Sequence, residues 1–192
     1  MVTELSEMSD EDQRLVCLAE QAVAFAREMT QPGRAVILDV ETAWMFGPIC
    51  EIAVIDVFSG RLLLNTLVNP GVAIDPAAYA VHGISDSEVS APGVPMWSAV
   101  FDQLRAVVAG RAILAYNADY DRDAIWADCH RYGLTDLWVM DAANWADVMA
   151  PRSHHRYQTW FLKNEGGHRA AGDVATTRRH LLEMTEPAPW PR

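Results

Sequence analysis

Apolar positions recur every three or four residues from Glu11 to Met29, at Leu15, Leu18, Ala19, Ala22, Phe25, Ala26 and Met29. That spacing predicts an amphipathic helix, capped by Ser9 or Asp10 and ended by Pro32-Gly33. The pattern then shortens to strand-like runs at Arg34–Val40, Ile49–Phe58 and Arg61–Asn69, with Ser59-Gly60 as a tight hairpin between the last two. Pro76–Val81 is long enough for one helical turn, and His82–Pro95 is rich in Gly, Ser and Pro. Trp97–Val108 reads as a helix, Ala112–Ala115 as a strand reached by a crossover and hence parallel to its neighbour, and Tyr120–Tyr132 as another helix. Leu137–Met140 is expected to be a further short strand and Asp141–Met149 a helix. After an interruption at Pro151, a helix is expected over Ser153–Asn164 with Tyr157, Trp160 and Phe161 inward. Ala170–Met184 is the last predicted helix. Hairpin strands followed by alternating strands and helices predict an α/β domain in three layers. The chain divides into a leader and packing helix (1–33), a main domain (34–184) and a Pro-rich tail (185–192).

The first strand ends in acids. Strand side chains alternate faces, so Asp39 and Glu41 point the same way while Val40 packs behind them. Two carboxylates on one face repel each other unless a counter-charge joins them, and hard divalent cations prefer such oxygens. Other acids stand at comparable places. Asn117-Ala118-Asp119-Tyr120-Asp121 follows the Ala112–Ala115 strand, and ligands in open α/β sheets bind beyond the carboxyl ends of strands. Asp121 falls in the first turn of the next helix; Asp119 suits an N-cap and Asp123 a solvent-facing position. His168 and Asp173 flank the start of the last helix, where a histidine can move a proton and an acid can join the same cleft. His154 and His155 are expected at the start of an exposed helix, without a shared ligand sphere. Four acids and a histidine at element ends fit two oxygen-ligated ions and one base.

Composition narrows the field. With 192 residues and 51% hydrophobic side chains, the chain can bury a substantial core. A formal charge of -11 excludes a basic nucleic-acid cradle, though not an enzyme that holds only a chain end. Cys17, Cys50 and Cys129 lack ligand-like spacing, which suggests a reducing compartment. No apolar stretch reaches membrane-spanning length, and a cytoplasmic location is expected.

The ordered set Asp39-Val40-Glu41, Asn117 to Asp121, and His168 to Asp173 resembles the DEDDh subfamily of 3′→5′ exonucleases, which includes the proofreading subunit of bacterial DNA polymerase III, RNase T and oligoribonuclease. The His168-Arg169-Ala170 opening and the His82-Gly83-Ile84 segment also match, and the resemblance runs from about Ala35 to Leu182. It implies a ribonuclease H-like fold with a mixed five-stranded sheet and a mechanism using two divalent cations, Mg2+ or Mn2+. Asp39 would bridge both ions, Glu41 and Asp173 would hold the one that binds the attacking water, Asp121 would serve the second, and His168 would be the general base. Thr42, Trp44, Phe46, His82, Ile84 and Asn117 would contact substrate. The implied partners are 3′ ends of single-stranded DNA or RNA, with a polymerase or a second copy of the chain as protein partner. The implied product is a nucleoside 5′-monophosphate, with an RNA-directed trimming enzyme and a weakly active polymerase-docking protein as alternatives. One departure concerns substrate: the family's threonine-glycine after Thr42 is replaced by Ala43-Trp44, followed by Met45-Phe46. Trp44 and Phe46 suit either stacking on a terminal base or packing in the core.

Overall fold

A computed structural model describes residues 9–189. The helix over Asp10–Met29 (α1) is capped by the Ser9 side chain, which accepts from the Asp12 amide. Strands β1 (Ala35–Thr42), β2 (Ile49–Asp56) and β3 (Leu62–Leu67) follow, then short helices α2 (Pro76–His82) and α3 (Asp86–Val89). The remainder is α4 (Trp97–Val108), β4 (Ala112–Ala115), α5 (Ala118–Tyr132), α6 (Leu137–Met140), a 3₁₀ turn at Ala142–Asn144, β5 (Trp145–Asp147), α7 (Met149–His155) and α8 (Ala170–Glu183).

The five strands form one mixed sheet in the order β3-β2-β1-β4-β5. The β1/β2 and β2/β3 pairs are antiparallel, and β4 lies parallel to both β1 and β5. Alternation along β1 builds two cores. Val36, Leu38 and Val40 pack with Trp97, Phe101 and Leu104 of α4 and Ile125 of α5. Ala35 and Ile37 pack with Ala26 and Met29 of α1 and with Val174 and Leu181 of α8. The three-layer α/β expectation therefore holds, and the alternation directs Asp39 and Glu41 toward the α8 layer. No helix among the described residues is long and apolar enough to cross a membrane.

The region from 137 to 169 departs from expectation. Leu137–Met140 is a single helical turn, begun by Asp136, whose side chain accepts from the amides of Trp138 and Val139. The fifth strand is instead Trp145–Asp147, inside the segment expected to be a helix; it pairs with β4 through Ile113↔Trp145 and Ala115↔Asp147. Pro151 does not interrupt a helix but sits in the first turn of α7, where its missing N–H costs nothing. The helix expected over Ser153–Asn164 is absent beyond His155. Residues 156–169 form an irregular segment fixed by hydrogen bonds: Tyr116 O–H donates to the Leu162 carbonyl, Arg152 donates to the Lys163 carbonyl, and the Leu162 amide donates to Ser153 Oγ. Trp160 and Phe161, expected inward, are each 64% exposed. His155 is buried at the end of α7, its Nε2 on the Glu186 carbonyl, rather than exposed at a helix start. The polar leader expected over Met1–Asp10 and the end of the Pro-rich tail lie largely outside the described residues.

Candidate active site

β1 runs past the end of β4, whose pairing with it stops at Ile37↔Leu114. The Val40 amide therefore has no strand partner on that side and needs an acceptor. The buried Asp121 carboxylate supplies it, 3.0 Å from the Val40 nitrogen. Asp121 is held there by the start of α5. Asn117 adopts a left-handed conformation (φ 71°) and makes no side-chain cap. Asp147, at the end of β5, takes over that role by accepting from the Asn117 and Ala118 amides at 2.9 and 3.3 Å. Its other carboxylate oxygen accepts from the Ala150 amide and starts α7 in the same way.

On the face of β1 toward α8, carboxylate oxygens of Asp39, Glu41 and Asp173 lie within 4.8 Å of one another. Burial, then the charges of Asp121, Glu41 and Asp173, pushes the Asp39 carboxyl far above its ordinary range. Burial, followed by Asp173 and Glu51, raises Glu41 to about 8. Asp121 is shifted up mainly by burial and less so because the Val40 amide favours its charged form. Burial also raises Asp173, against the opposing pull of His168, the Asn164 side chain and the His168 and Arg169 amides. The four acids thus share one electrostatic site.

Two glycines let α8 approach. A Cβ on Gly166 would stand 2.7 Å from Asp173 Cα and closer still to its Oδ1; a Cβ on Gly172 would stand 2.7 Å from the Gly166 carbonyl oxygen. His168 follows in this loop, exposed and in a left-handed conformation (φ 57°) that is uncommon for a residue with a side chain. Sequence reasoning missed Glu51, Arg169, Asn164, Asp147 and Tyr120. Glu51 pairs in register with Glu41 across β1/β2 and is buried. Its counter-charge is Arg169, 118 residues away in sequence, whose Nη2 reaches Glu51 Oε1 at 2.6 Å.

Beside the acids, Glu41, Thr42, Trp44, Phe46, Val81, His82 and Tyr120 line a cleft of about 640 Å³. The Thr42 and Tyr120 hydroxyls share a hydrogen bond of 2.7 Å, and the Phe46 and Tyr120 rings lie 5.4 Å apart. Phe46 is exposed and Trp44 partly so; the Trp44 ring covers Gly47, where a Cβ would sit 2.7 Å from it. These aromatics form a rim rather than a core. His82 is buried, with both ring nitrogens engaged: the Ile84 amide donates to Nδ1, so Nε2 carries the proton and donates to the Thr42 carbonyl. Burial lowers its pKa, in keeping with a neutral ring that supports the end of β1. Ile84, expected beside substrate, is fully buried against Ala43, Cys50 and Ile74, so its side chain belongs to a small core. Asn117 lies in a separate cleft of about 300 Å³ with Arg122, Asp147 and Phe161.

Sheet order, layers and acid cluster together define a ribonuclease H-like domain with a carboxylate site at the mouth of its sheet. No family model matches the chain. An uncharacterized exonuclease of Escherichia phage 186 is 35% identical over 101 residues, which is 52% of this chain and 50% of that protein. A DNA polymerase III subunit epsilon-like protein of Rhodobacter capsulatus is 33% identical over 166 residues, 78% of this chain but 23% of that protein. The structure of exonuclease X with 5′-overhanging duplex DNA superposes with a TM-score of 0.58 at 23% identity, covering 82% of this chain and 94% of that one. The curated relatives that the chain resembles are exonucleases and DNA polymerase III epsilon subunits, and the likeness to exonuclease X shows a shared fold. The chain spans half or less of the length of the curated relatives it matches.

Proposed function

We infer that the chain is a metal-dependent 3′→5′ exonuclease that releases nucleoside 5′-monophosphates from the 3′ end of single-stranded DNA. The observation that carries this reading is the convergence of Asp39, Glu41 and Asp173 within 4.8 Å, with Asp121 in the same electrostatic site. The donor set fits a hard divalent cation such as Mg2+ or Mn2+: it is all oxygen, partly enclosed and short of positive charge, since the nearby Arg169 is already committed to Glu51. Asp39, Glu41 and Asp173 would hold one ion, and Asp39 with Asp121 a second. Bound there, such ions supply an acidified water and neutralise charge on the scissile phosphate.

The chain's own side chains supply the rest. His168 stands exposed beside Asp173, where a neutral imidazole takes the proton of the attacking water. The rim of Trp44, Phe46 and Tyr120 offers ring faces to the terminal base, a contact worth about 1–3 kcal/mol that tolerates any sequence. The Thr42 hydroxyl, shared with Tyr120, is on the cleft that Glu41 also lines, where the terminal sugar would sit. A net charge of -11 suits a short footprint, because tracking a long backbone would require neutralising many phosphates. DNA is favoured as substrate by the duplex DNA seen with exonuclease X.

Digestion of 5′-labelled and 3′-labelled single-stranded DNA, duplex DNA with a 5′ overhang, and matching RNA tests the reading. The expected result is metal-dependent release of mononucleotides from the 3′ label first, fastest on single-stranded DNA. Rapid cleavage of a circular single strand, or no cleavage with Mg2+ or Mn2+, overturns it. Faster cleavage of RNA redirects it to an exoribonuclease.

A further inference from the structure

Asp173, Thr177 and His180 are all buried on α8. Their spacing of four and then three residues puts them on one face of the helix. A buried helical face is ordinarily apolar, so three polar side chains in a row need a partner. One residue, Asn164, in the irregular segment before the helix, bonds to all three, while the His168 and Arg169 amides also reach the Asp173 carboxylate. Asn164 Nδ2 donates to Asp173 Oδ1 at 2.9 Å and to the Asp173 carbonyl at 3.3 Å. Its Oδ1 accepts from the Thr177 hydroxyl at 3.2 Å, and its main-chain carbonyl accepts from His180 Nε2 at 3.1 Å.

The pattern fixes the orientation of the amide. Turned over, Asn164 would set its oxygen against the Asp173 carboxylate, two acceptors facing each other with no proton between. The Thr177 hydroxyl, donating to Oδ1, favours the orientation that presents NH₂ to Asp173. The backbone around Asn164 is pinned as well, through Tyr116 on the Leu162 carbonyl, Arg152 on the Lys163 carbonyl and Ser153 on the Leu162 amide. Asn164 is therefore a fixed donor, and the group it addresses is the carboxylate that closes the cluster with Asp39 and Glu41.

We propose that Asn164 is a positioning residue for Asp173, holding one carboxylate oxygen so that the other faces the acid cluster, with Thr177 setting the direction of the Asn164 amide. The proposal rests on the reading of Asp173 as a metal ligand. Groups that orient metal-bound side chains typically change metal affinity by about 10–100-fold when removed.

The test is Mn2+ binding to the full chain by titration calorimetry, with circular dichroism and melting curves as the measure of fold. Asn164→Ala is expected to weaken Mn2+ binding by about 10–100-fold. Thr177→Val, nearly isosteric and unable to donate, is expected to weaken it by a smaller factor. Thr177→Val added to Asn164→Ala should cost nothing more, because the hydroxyl acts only through the amide. Thr177→Val alone still decides the matter if Asn164→Ala does not fold. Both variants melting lower while binding Mn2+ as tightly as the wild type would make Asn164 a loop anchor and overturn the proposal alone. A wild-type chain that binds no Mn2+ would overturn the reading of the acid cluster, and this proposal with it.

Discussion

Arg169 and Glu51 are joined by three hydrogen bonds across the start of α8: Nε donates to Oε2 at 3.1 Å and to Oε1 at 3.2 Å, and Nη2 to Oε1 at 2.6 Å. The next amide, Ala170, donates to Oε2 at 2.9 Å. One buried carboxylate on β2 thus fixes the first residues of the helix that carries Asp173. Glu51→Gln should lower unfolding stability by about 1.5–3 kcal/mol, the range for hydrogen bonds to a charged partner. It should also weaken metal binding, because the α8 terminus loses its anchor. Denaturant unfolding with and without Mn2+ checks both effects. Unchanged stability would mean that half-exposed Arg169 is better solvated than bound.

Gly166 is a second determinant of where Asp173 lies. A methyl group there meets Asp173 backbone and carboxylate together, so the loop or the helix must shift. Gly166→Ala should cost about 1–3 kcal/mol as an overpacked contact, with loss of metal binding. Gly33→Ala is the matched control. Its φ of +69° makes the alanine strained, yet nothing lies within 4 Å of the new methyl. It should destabilise by about 1–2 kcal/mol with metal affinity unchanged. Equal metal affinities in the two variants would show that the Gly166 contact does not govern the site.

The unequal legibility of the chain follows from where the determining interactions lie. Asp39 and Glu41 were readable because strand alternation is local, and Asp121 and Asp173 because each begins a helix next to a sheet mouth. Glu51 was hidden in an apolar strand whose pattern gives no sign of a counter-charge 118 residues later. The β5 error had a similar origin. Leu137–Met140 is more apolar than Trp145–Asp147, but Asp136 starts a helical turn there, and pairing with β4 selects the later segment. Trp160 and Phe161 fit a helical stripe; Tyr116, Arg152 and Ser153 instead bind the backbone of that segment and hold it open. Asn164 was invisible because its partners lie on the following helix.

Repulsion in the cluster makes the metal-free protein sensitive to pH. Glu41, raised to about 8 by burial and by its acidic neighbours, titrates near 4.5 when unperturbed. The folded chain therefore holds a proton that the unfolded chain has released, and stability falls as pH rises between those values. His82 and His180, both lowered by burial, act in the opposite sense, but that contribution is complete once the unfolded histidines have titrated near pH ~6.5. Chelated protein should thus lose melting temperature from about pH 6.5 to 8, and Mn2+ should restore more at the upper end. Differential scanning calorimetry across that window checks it. A flat or rising profile in chelator would contradict the repulsive cluster.

Asp39→Asn separates stability from function at one atom. The substitution removes a carboxyl whose ionisation is opposed by burial and then by the neighbours Asp121, Glu41 and Asp173. Without metal the variant should melt higher than the wild type by about 2–4 °C, the shift that ~1 kcal/mol gives a chain of this size. With Mn2+ the order should reverse, because the wild type gains binding energy and the variant does not. A variant that melts lower under both conditions would show that Asp39 serves the fold itself.

His168 carries the remaining prediction. It is exposed and left-handed at φ 57°, in the loop that Gly166 presses onto Asp173. If it takes the proton of the attacking water, His168→Ala should reduce single-turnover cleavage by about 10²–10⁴-fold while leaving Mn2+ affinity nearly unchanged. His154→Ala is the control, since His154 lies at the far end of α7 and does not join the cluster. A second comparison removes the objection that alanine merely relaxes the loop. His168→Asn keeps a polar side chain that tolerates the left-handed region but cannot act as a base, so it should be as inactive as His168→Ala. Single-turnover rates from pH 6 to 9 at saturating metal measure all three proteins. Wild-type rates in His168→Asn would show that the loop geometry is the whole contribution, and would remove the histidine from the mechanism while leaving the four acids in place.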